Sequence, residues 1–578
     1  METQNYTTSI LKWKAVFVFL SISIAMISTA QSQIKEPASK PNIIFILTDD
    51  QRWDALGYSG NEIIKTPEMD KLASQGVYFK NAIVTTPICS ASRSSIFSGV
   101  YERAHKYSFG STQIREEFME HSYPNLLRDA GYYTGFFGKF GVKYPKMNEL
   151  FDEVENIIQG DEPDRRGYYY KKLNGETVHL TRYVGQKSLD FIENAPRDKP
   201  FSLSVSFNAS HAQDNAPLQY FWQEEPDKLY QDMVMPDPEI SNDEYFNKLP
   251  PAVRAGFNRL RWTWRYDTTE KYQHSVKGYY RMINGIDLEI AKIRKKLKET
   301  GQDKNTVIIF MGDNGYFLGE RQLAGKWLMY DNSLRVPLII YDPRVNAHRD
   351  VDDMALNIDI TATMLDLAGI NTPDEYHGKS LVPIVNGEEK SLNRDAVLIE
   401  HLWEFDNIPP SEGVRTDEWK YLRYVNDKSI EELYNLVDDP MEVNNLASDP
   451  RYKTILDQYR NKNNELADEY KDPYSGTPGD LYVDTQGREP KFNWSVPGVA
   501  GEQRAYQILI SSNKRASDNN VGDVWDSNRV EIAGSKDIEV AGASLDSDKT
   551  YFWKVRIYDE INRISDYSKT TKFDTKRK

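Results

Sequence analysis

The chain has 578 residues, 39% of them hydrophobic and 28% charged, with a formal net charge of −15. That balance describes an ordinary soluble globular protein of roughly two to four domains with sizeable cores, and excludes a disordered or coiled-coil chain. The acidic surplus argues against nucleic acid as a partner.

The first 30 residues read as a secretory signal peptide: "LKWK" supplies positive charge, "AVFVFLSISIAMI" is an apolar run too short for a membrane span, and "STA" precedes Gln31. No cysteine follows the run to carry a lipid anchor, and no second apolar stretch has spanning length. The expected mature protein is exported, periplasmic or secreted, and free of the membrane. Its single cysteine, Cys89, permits no intramolecular disulfide.

After a polar linker, apolar runs of strand length alternate with helical segments. They are "NIIFILT" (42–48), "GYYTGFF" (131–137), "FSLSVSF" (201–207), "NTVIIFM" (305–311) and "VPLIIY" (336–341). Such runs predict an α/β fold, a large, mostly parallel sheet flanked by helices on both faces. In open sheets of this kind, ligands bind beyond the carboxyl ends of the strands. Those ends carry Asp49 and Asp50, Lys139, His211, and Asp313 with Asn314, so residues scattered in sequence are expected to meet on one edge. This domain is placed at 41–375. Residues 376–474 read as a small antiparallel subdomain, and 482–578, short strands at close spacing, as an all-β sandwich.

Cys89 stands in "TTPICSASRSSIFSG". A lone cysteine usually fills a core, but these neighbours are polar, and Gly99 ends a segment of helical character. Cys89 is therefore expected near a helix N-terminus, with Arg93 one turn on along the same face. A nucleophile there suits an oxyanion substrate; from the residues alone, the rival is a phosphatase or protease thiolate.

The text "CSASR" resembles the signature of the type I sulfatases, of the alkaline phosphatase superfamily, in which this cysteine becomes formylglycine (3-oxoalanine). "NIIFILTDD", "GYYTGFFGKF", "VIIFMGDNG", "GKWLMYDNSLRVPLII" and "ELYNLVDDPMEVNNLA" resemble further family blocks in the family's order, over roughly residues 41 to 470. The resemblance implies that Cys89, converted by a sulfatase-maturing enzyme and hydrated, attacks sulfur, and that the sulfated intermediate then eliminates sulfate. It implies that Asp49, Asp50, Asp313, Asn314 and the converted Cys89 bind Ca²⁺. Arg93, Lys139 and Lys326 would pair with sulfate, and His211 would contact sulfate or protonate the leaving oxygen. Two departures stand out. Gly141 occupies the place where the family usually has histidine, and "SHAQ" replaces the family's "PHTP" around His211.

The resemblance and the export signal together imply a sulfated glycan substrate. The segment 212–275 is long, aromatic and charged, and is expected to shape specificity unless its aromatics merely pack on one another. Arg261, Trp262, Trp264 and Arg265 are the candidates to meet a sugar and its anionic groups, with His105 a further pocket residue. The last hundred residues resemble the N-terminal β-sandwich of bacterial α-L-rhamnosidases. That combination resembles marine enzymes acting on ulvan, a sulfated rhamnose polysaccharide. Fucan or carrageenan as substrate, a formylglycine phosphodiesterase, and a non-catalytic glycan-binding protein are the alternatives.

Overall fold

A computed structural model describes residues 40–575, apart from 112, 158–168, 215, 346–347, 403–406, 473–475, 488, 497–501, 541 and 560–563. The expected signal peptide, 1–30, lies outside the described residues. Among the described residues, no helix is long and apolar enough to cross a membrane.

The main sheet has eight strands: β1 (Asn42–Thr48), β2 (Val77–Ile83), β3 (Tyr133–Gly138), β4 (Glu153–Asn156), β5 (Phe201–Ser206), β6 (Thr306–Gly312), β7 (Leu338–Tyr341) and β8 (Arg349–Leu356). Their order is β8-β2-β7-β6-β1-β5-β3-β4. Alternation assigns each β1 side chain to a layer. Ile44 and Ile46 pack with helices α2 (Leu180–Asn194) and α4 (Thr269–Glu299), while Ile43, Phe45 and Leu47 pack with α1 (Cys89–Ser98) and α5 (Asp359–Leu367). These side chains are buried, each contributing about 1.5–3 kcal/mol against remaining exposed.

Strand β1 runs parallel to β6, with Thr48 level with Gly312, and parallel to β5, with Leu47 level with Ser206. Ser206 in turn is level with Gly138 of β3. The four strands therefore end together, which is the convergence expected from sequence. Strand β7 departs from it, running antiparallel to both β6 and β2. A parallel return requires a crossover, usually helical. Between Gly312 and Leu338 the chain forms only short elements at the carboxyl edge, and so re-enters the sheet from that edge.

The antiparallel subdomain has four strands, β9 (Val397–His401), β10 (Ser411–Arg415), β11 (Trp419–Tyr424) and β12 (Asp427–Asn435), followed by helix α6 (Lys453–Glu469). Antiparallel pairing throughout this sheet agrees with the reading of this region from sequence. Buried charges tie this sheet to the segment after Lys326: Asp331 pairs with Lys420 (2.5 Å) and Arg415 (3.1 Å), and its N–H donates to Glu442 (2.8 Å). The C-terminal module is the expected all-β sandwich. Two antiparallel sheets enclose Phe492, Trp494, Ile508, Trp553 and Val555.

Candidate active site

The loop after β2 delivers the cysteine. Ile88, in extended conformation, caps α1, Cys89 is its first residue, and Gly99 ends it at φ 70°. All ten residues of α1 are buried. Serine makes that possible, being small and able to bond inward: the Ser94 and Ser98 hydroxyls donate to the carbonyls of Ser90 and Ser94 (3.0 and 2.7 Å). Cys89 is 2% exposed, and its Sγ lies 3.5 Å from Lys139 Nζ.

The end of β1 turns at Asp50 (φ 60°), a conformation braced by the Tyr279 hydroxyl, which donates to the Asp50 carbonyl (2.7 Å). Ligand atoms of Asp49, Cys89 and Asp313 lie within 4.8 Å of one another, and so do those of Asp49, Asp50 and His211. Lys139 pairs with Asp49. Lys326 Nζ lies 2.5 Å from Asp50, and Arg93 Nε donates to Asp313 (2.8 Å). The Asn314 amide donates to Asp50 (2.7 Å). Every metal and sulfate candidate from sequence is thus brought to one point.

Three carboxylates here face three cations, all buried or nearly so. Burial alone would push Asp49 up, but Lys139, Lys326, His211 and Arg93 hold it well below the ordinary carboxylate range. In neighbouring Asp313, burial and the Asp49 charge prevail, and the carboxyl is pushed up to about 6. Burial would likewise discharge Lys326, yet Asp50, Cys89 and Asp49 keep its pKa above the usual value. Burial pulls His211 down to about 4. Its Nδ1–H donates to the Ala212 carbonyl (2.6 Å), so the neutral ring presents a bare Nε2, 3.8 Å from Asp50.

The donor set fits a hard divalent cation. Among the described residues, the buried oxygens Asp49 Oδ1 and Asn314 Oδ1 have no hydrogen-bond partner. Lys326 Nζ approaches Asp49 Oδ1 only to 3.6 Å. Unsatisfied buried oxygens beside carboxylates are what Ca²⁺ takes as ligands. Arg93 Nη2, also buried without a hydrogen-bond partner, offers N–H groups to an anion.

The model of the family described as "Sulfatase" matches residues 41–370, more than half of the chain. The chain belongs to the sulfatase family. It is an enzyme of the sulfuric ester hydrolase class. Residues 319–469 of this sulfatase match "N-sulphoglucosamine sulphohydrolase, C-terminal", and 482–576 match "Rha78A-like, N-terminal immunoglobulin domain". An N-acetylglucosamine-6-O-sulfatase of Bacteroides thetaiotaomicron is 24% identical over 527 residues, 80% of this chain and 93% of that protein. An "Ulvan-active sulfatase" of Formosa agariphila is 27% identical over 467 residues, 77% and 85% of the two chains. Among solved structures, a phosphonate monoester hydrolase of Agrobacterium radiobacter shares the fold. Its TM-score is 0.65 at 22% identity, covering 78% of this chain and 99% of that one.

The structure does not bring the other sequence candidates to the site in the same way. His105 is 1% exposed and has both ring nitrogens engaged. Nε2 meets the Ser95 hydroxyl (3.0 Å), Nδ1 accepts from the Tyr107 N–H (3.0 Å), and burial pulls its pKa down to about 3. It braces α1 from behind rather than lining a pocket. Trp264, on helix α3 (Phe257–Arg265), is half-buried and edge-on to Phe257 at 5.6 Å. Arg261 and Arg265 share the carboxylate of Asp214, and Arg261 also lies 4.3 Å above the Trp327 ring.

Sequence reasoning missed Ser206. Its hydroxyl accepts from Arg93 Nη1 (2.6 Å) and donates to the Lys139 carbonyl (2.7 Å), fixing the arginine against the lysine. The signal was available in "FSLSVSF", where three alternating serines give one face of a buried strand a polar character.

Gly141, the departure from the family, sits at φ 76°, and a Cβ there would lie 2.5 Å from Arg93 Cδ. Arg93 fills the space from which a side chain at 141 would emerge. Gly141→His is therefore expected to lower kcat for sulfate release by about 10- to 100-fold through displacement of Arg93. A variant as fast as wild type would show that Arg93 has room to yield.

Proposed function

We propose that this sulfatase removes sulfate from an algal polysaccharide, and specifically from sulfated rhamnose in ulvan oligosaccharides, after export to the periplasm. One observation carries the hydrolytic half: Cys89, Asp49 and Asp313 converge within 4.8 Å, with Lys139 Nζ 3.5 Å from the sulfur. The ulvan half is supported by the likeness to the Formosa agariphila protein and by the rhamnosidase-type module at 482–576.

Asp49, Asp50, Asp313, Asn314 and the converted Cys89 would hold Ca²⁺, which when bound draws in a sulfate oxygen and acidifies the attacking hydroxyl. Cys89, after conversion to formylglycine by a maturing enzyme, is the source of that hydroxyl. Arg93, Lys139 and Lys326 hold the sulfate and offset the charge that grows on its oxygens during transfer. His211 Nε2 points to the same centre; bare in the neutral ring, it takes up a proton when the sulfate anion is bound beside it and passes that proton to the leaving sugar oxygen. An acidic chain can bind a polyanion because this site, neutral by itself, gains the charge of a divalent ion. Seawater salt also screens the distant surface over less than about 8 Å.

The test is sulfate release from ulvan, fucan and carrageenan oligosaccharides by protein made with a maturing enzyme, formylglycine being confirmed by peptide mass. Release from ulvan alone is expected. Release only from another glycan would overturn the ulvan assignment and leave the sulfatase. Faster cleavage of a phosphodiester than of any sulfate ester would favour the phosphodiesterase alternative, and glycan binding with no turnover the non-catalytic one.

A further inference from the structure

Lys326 is held by a device outside the residues assigned so far. We propose that Trp327 is a positioning residue, which sets Lys326 against the Cys89 helix and carries no chemistry of its own. The proposal rests on the sulfatase reading of the site.

The chain around Lys326 is bent into conformations that side-chain-bearing residues avoid. Gly325 has φ 97°, and Trp327 itself has φ 80°. A tryptophan in that region is strained, and it stays there only where its surroundings impose it. Here they do. The Trp327 N–H donates to the Pro87 carbonyl (2.9 Å), and the ring packs with Ile88 and Ala91. Pro87 and Ile88 immediately precede Cys89. Trp327 is thus fastened twice to the residues just before the nucleophile position, by its backbone N–H on Pro87 and by its ring on Ile88.

The outer face of the indole is clamped from α3. The Arg261 guanidinium lies 4.3 Å above it, and Phe257 is tilted against it at 5.8 Å. Asn258, on the same helix, donates to the carbonyls of Ala324 (3.0 Å) and Lys326 (2.8 Å). The aromatic, charged segment expected to meet a sugar thus supports the Lys326 loop from outside. The indole N–H is buried without a hydrogen-bond partner among the described residues, so the ring is held by its faces. An aromatic ring of another kind can keep those contacts, whereas an aliphatic side chain leaves Arg261 and Ile88 without them.

The test compares Trp327→Phe, Trp327→Leu, Lys326→Ala and the double variant Lys326→Ala/Trp327→Leu. Each has its formylglycine content measured by peptide mass, and each is assayed on whichever panel oligosaccharide the wild type desulfates. Trp327→Leu is expected to lower kcat on the order of 10²-fold with KM changed less than about 3-fold, and Trp327→Phe to stay within about 5-fold of wild type. If Trp327 acts through Lys326, the double variant is no more than about 3-fold slower than Lys326→Ala alone. Losses that multiply in the double variant would overturn the proposal, as would a fully converted Trp327→Leu protein with wild-type kcat. Should Trp327→Leu fail to fold, Trp327→His, planar but smaller, takes its place in the same cycle. A formylglycine-bearing wild type that desulfates nothing would instead remove the sulfatase reading, before any variant is compared.

Discussion

Cys89→Ala protein is expected to release sulfate at least about 10⁴-fold more slowly than wild type while binding its substrate with little change. The reason lies in what the substitution leaves in place. Cys89 contributes one sulfur atom at the start of a fully buried helix. The pairs Arg93–Asp313, Lys139–Asp49 and Lys326–Asp50 do not pass through it. Alanine cannot be converted, so the substitution removes the source of the attacking hydroxyl and one of the five proposed metal ligands, and spares the three cations that attract the sulfate and the other four ligands. Single-turnover sulfate release, set beside substrate affinity from calorimetry, separates the two. Unchanged affinity with no release assigns Cys89 to the bond-making step. Residual turnover above about 1% of wild type would put the nucleophile elsewhere, because general binding alone leaves far less. Loss of binding together with turnover, restored by excess Ca²⁺, would assign the deficit to the lost metal ligand; unrestored, it would mean that the helix itself had shifted.

The sequence revealed most where apolar runs end in polar residues. Strands β1, β3, β5 and β6 announce themselves as runs that only a covered sheet can bury, and their final residues named Asp49, Asp50, Lys139, His211, Asp313 and Asn314. That reasoning works because parallel register lines up strand ends without any further information. It failed for β7, whose apolar text does not encode direction. Direction came instead from the lack of a helical crossover between Gly312 and Leu338. Strand β2 and the edge strand β8 were missed because their mixed text, as in "VYFKNAI" and "RDVDDMAL", carries polar residues at half-buried or exposed positions. The segment 212–275 was read as a specificity loop from composition, which cannot distinguish an aromatic that meets a sugar from one that packs. Distances decide it for Arg261, whose charge is shared with Asp214 and whose plane covers Trp327. The role of Ser206 depended on which strand face meets Arg93, and a run of alternating serines hints at that without fixing it.

Metal removal is expected to cut activity by at least about 10²-fold, and Ca²⁺ to restore it, with Asp313→Asn raising the Ca²⁺ needed for half-activity by at least about 10²-fold. The carboxyl oxygens of Asp49, Asp50 and Asp313 are crowded, and three cations balance them. Without an additional positive ion, burial and the neighbouring Asp49 push Asp313 up to about 6, so this carboxyl takes a proton more readily than an ordinary aspartate does. A divalent ion competes with that proton. Apparent affinity for Ca²⁺ should therefore be constant well above pH 6 and weaken as the pH falls through about 6, by about tenfold per unit for one proton displaced. Asp313→Asn keeps the shape but removes one of three charges, and it leaves a single amide oxygen for the two donors, Arg93 Nε and the Asp50 N–H, that the carboxylate now accepts from. The variant thus loses on two counts: a weaker ion site, and an arginine held less firmly for the sulfate. Titrating Ca²⁺ at several pH values distinguishes them, since excess Ca²⁺ recovers the first deficit and leaves the second. Chelator-treated protein with full activity would exclude a metal role for these carboxylates. They would then serve only to orient Arg93, Lys139 and Lys326, and the unpartnered oxygens of Asp49 and Asn314 would need another explanation.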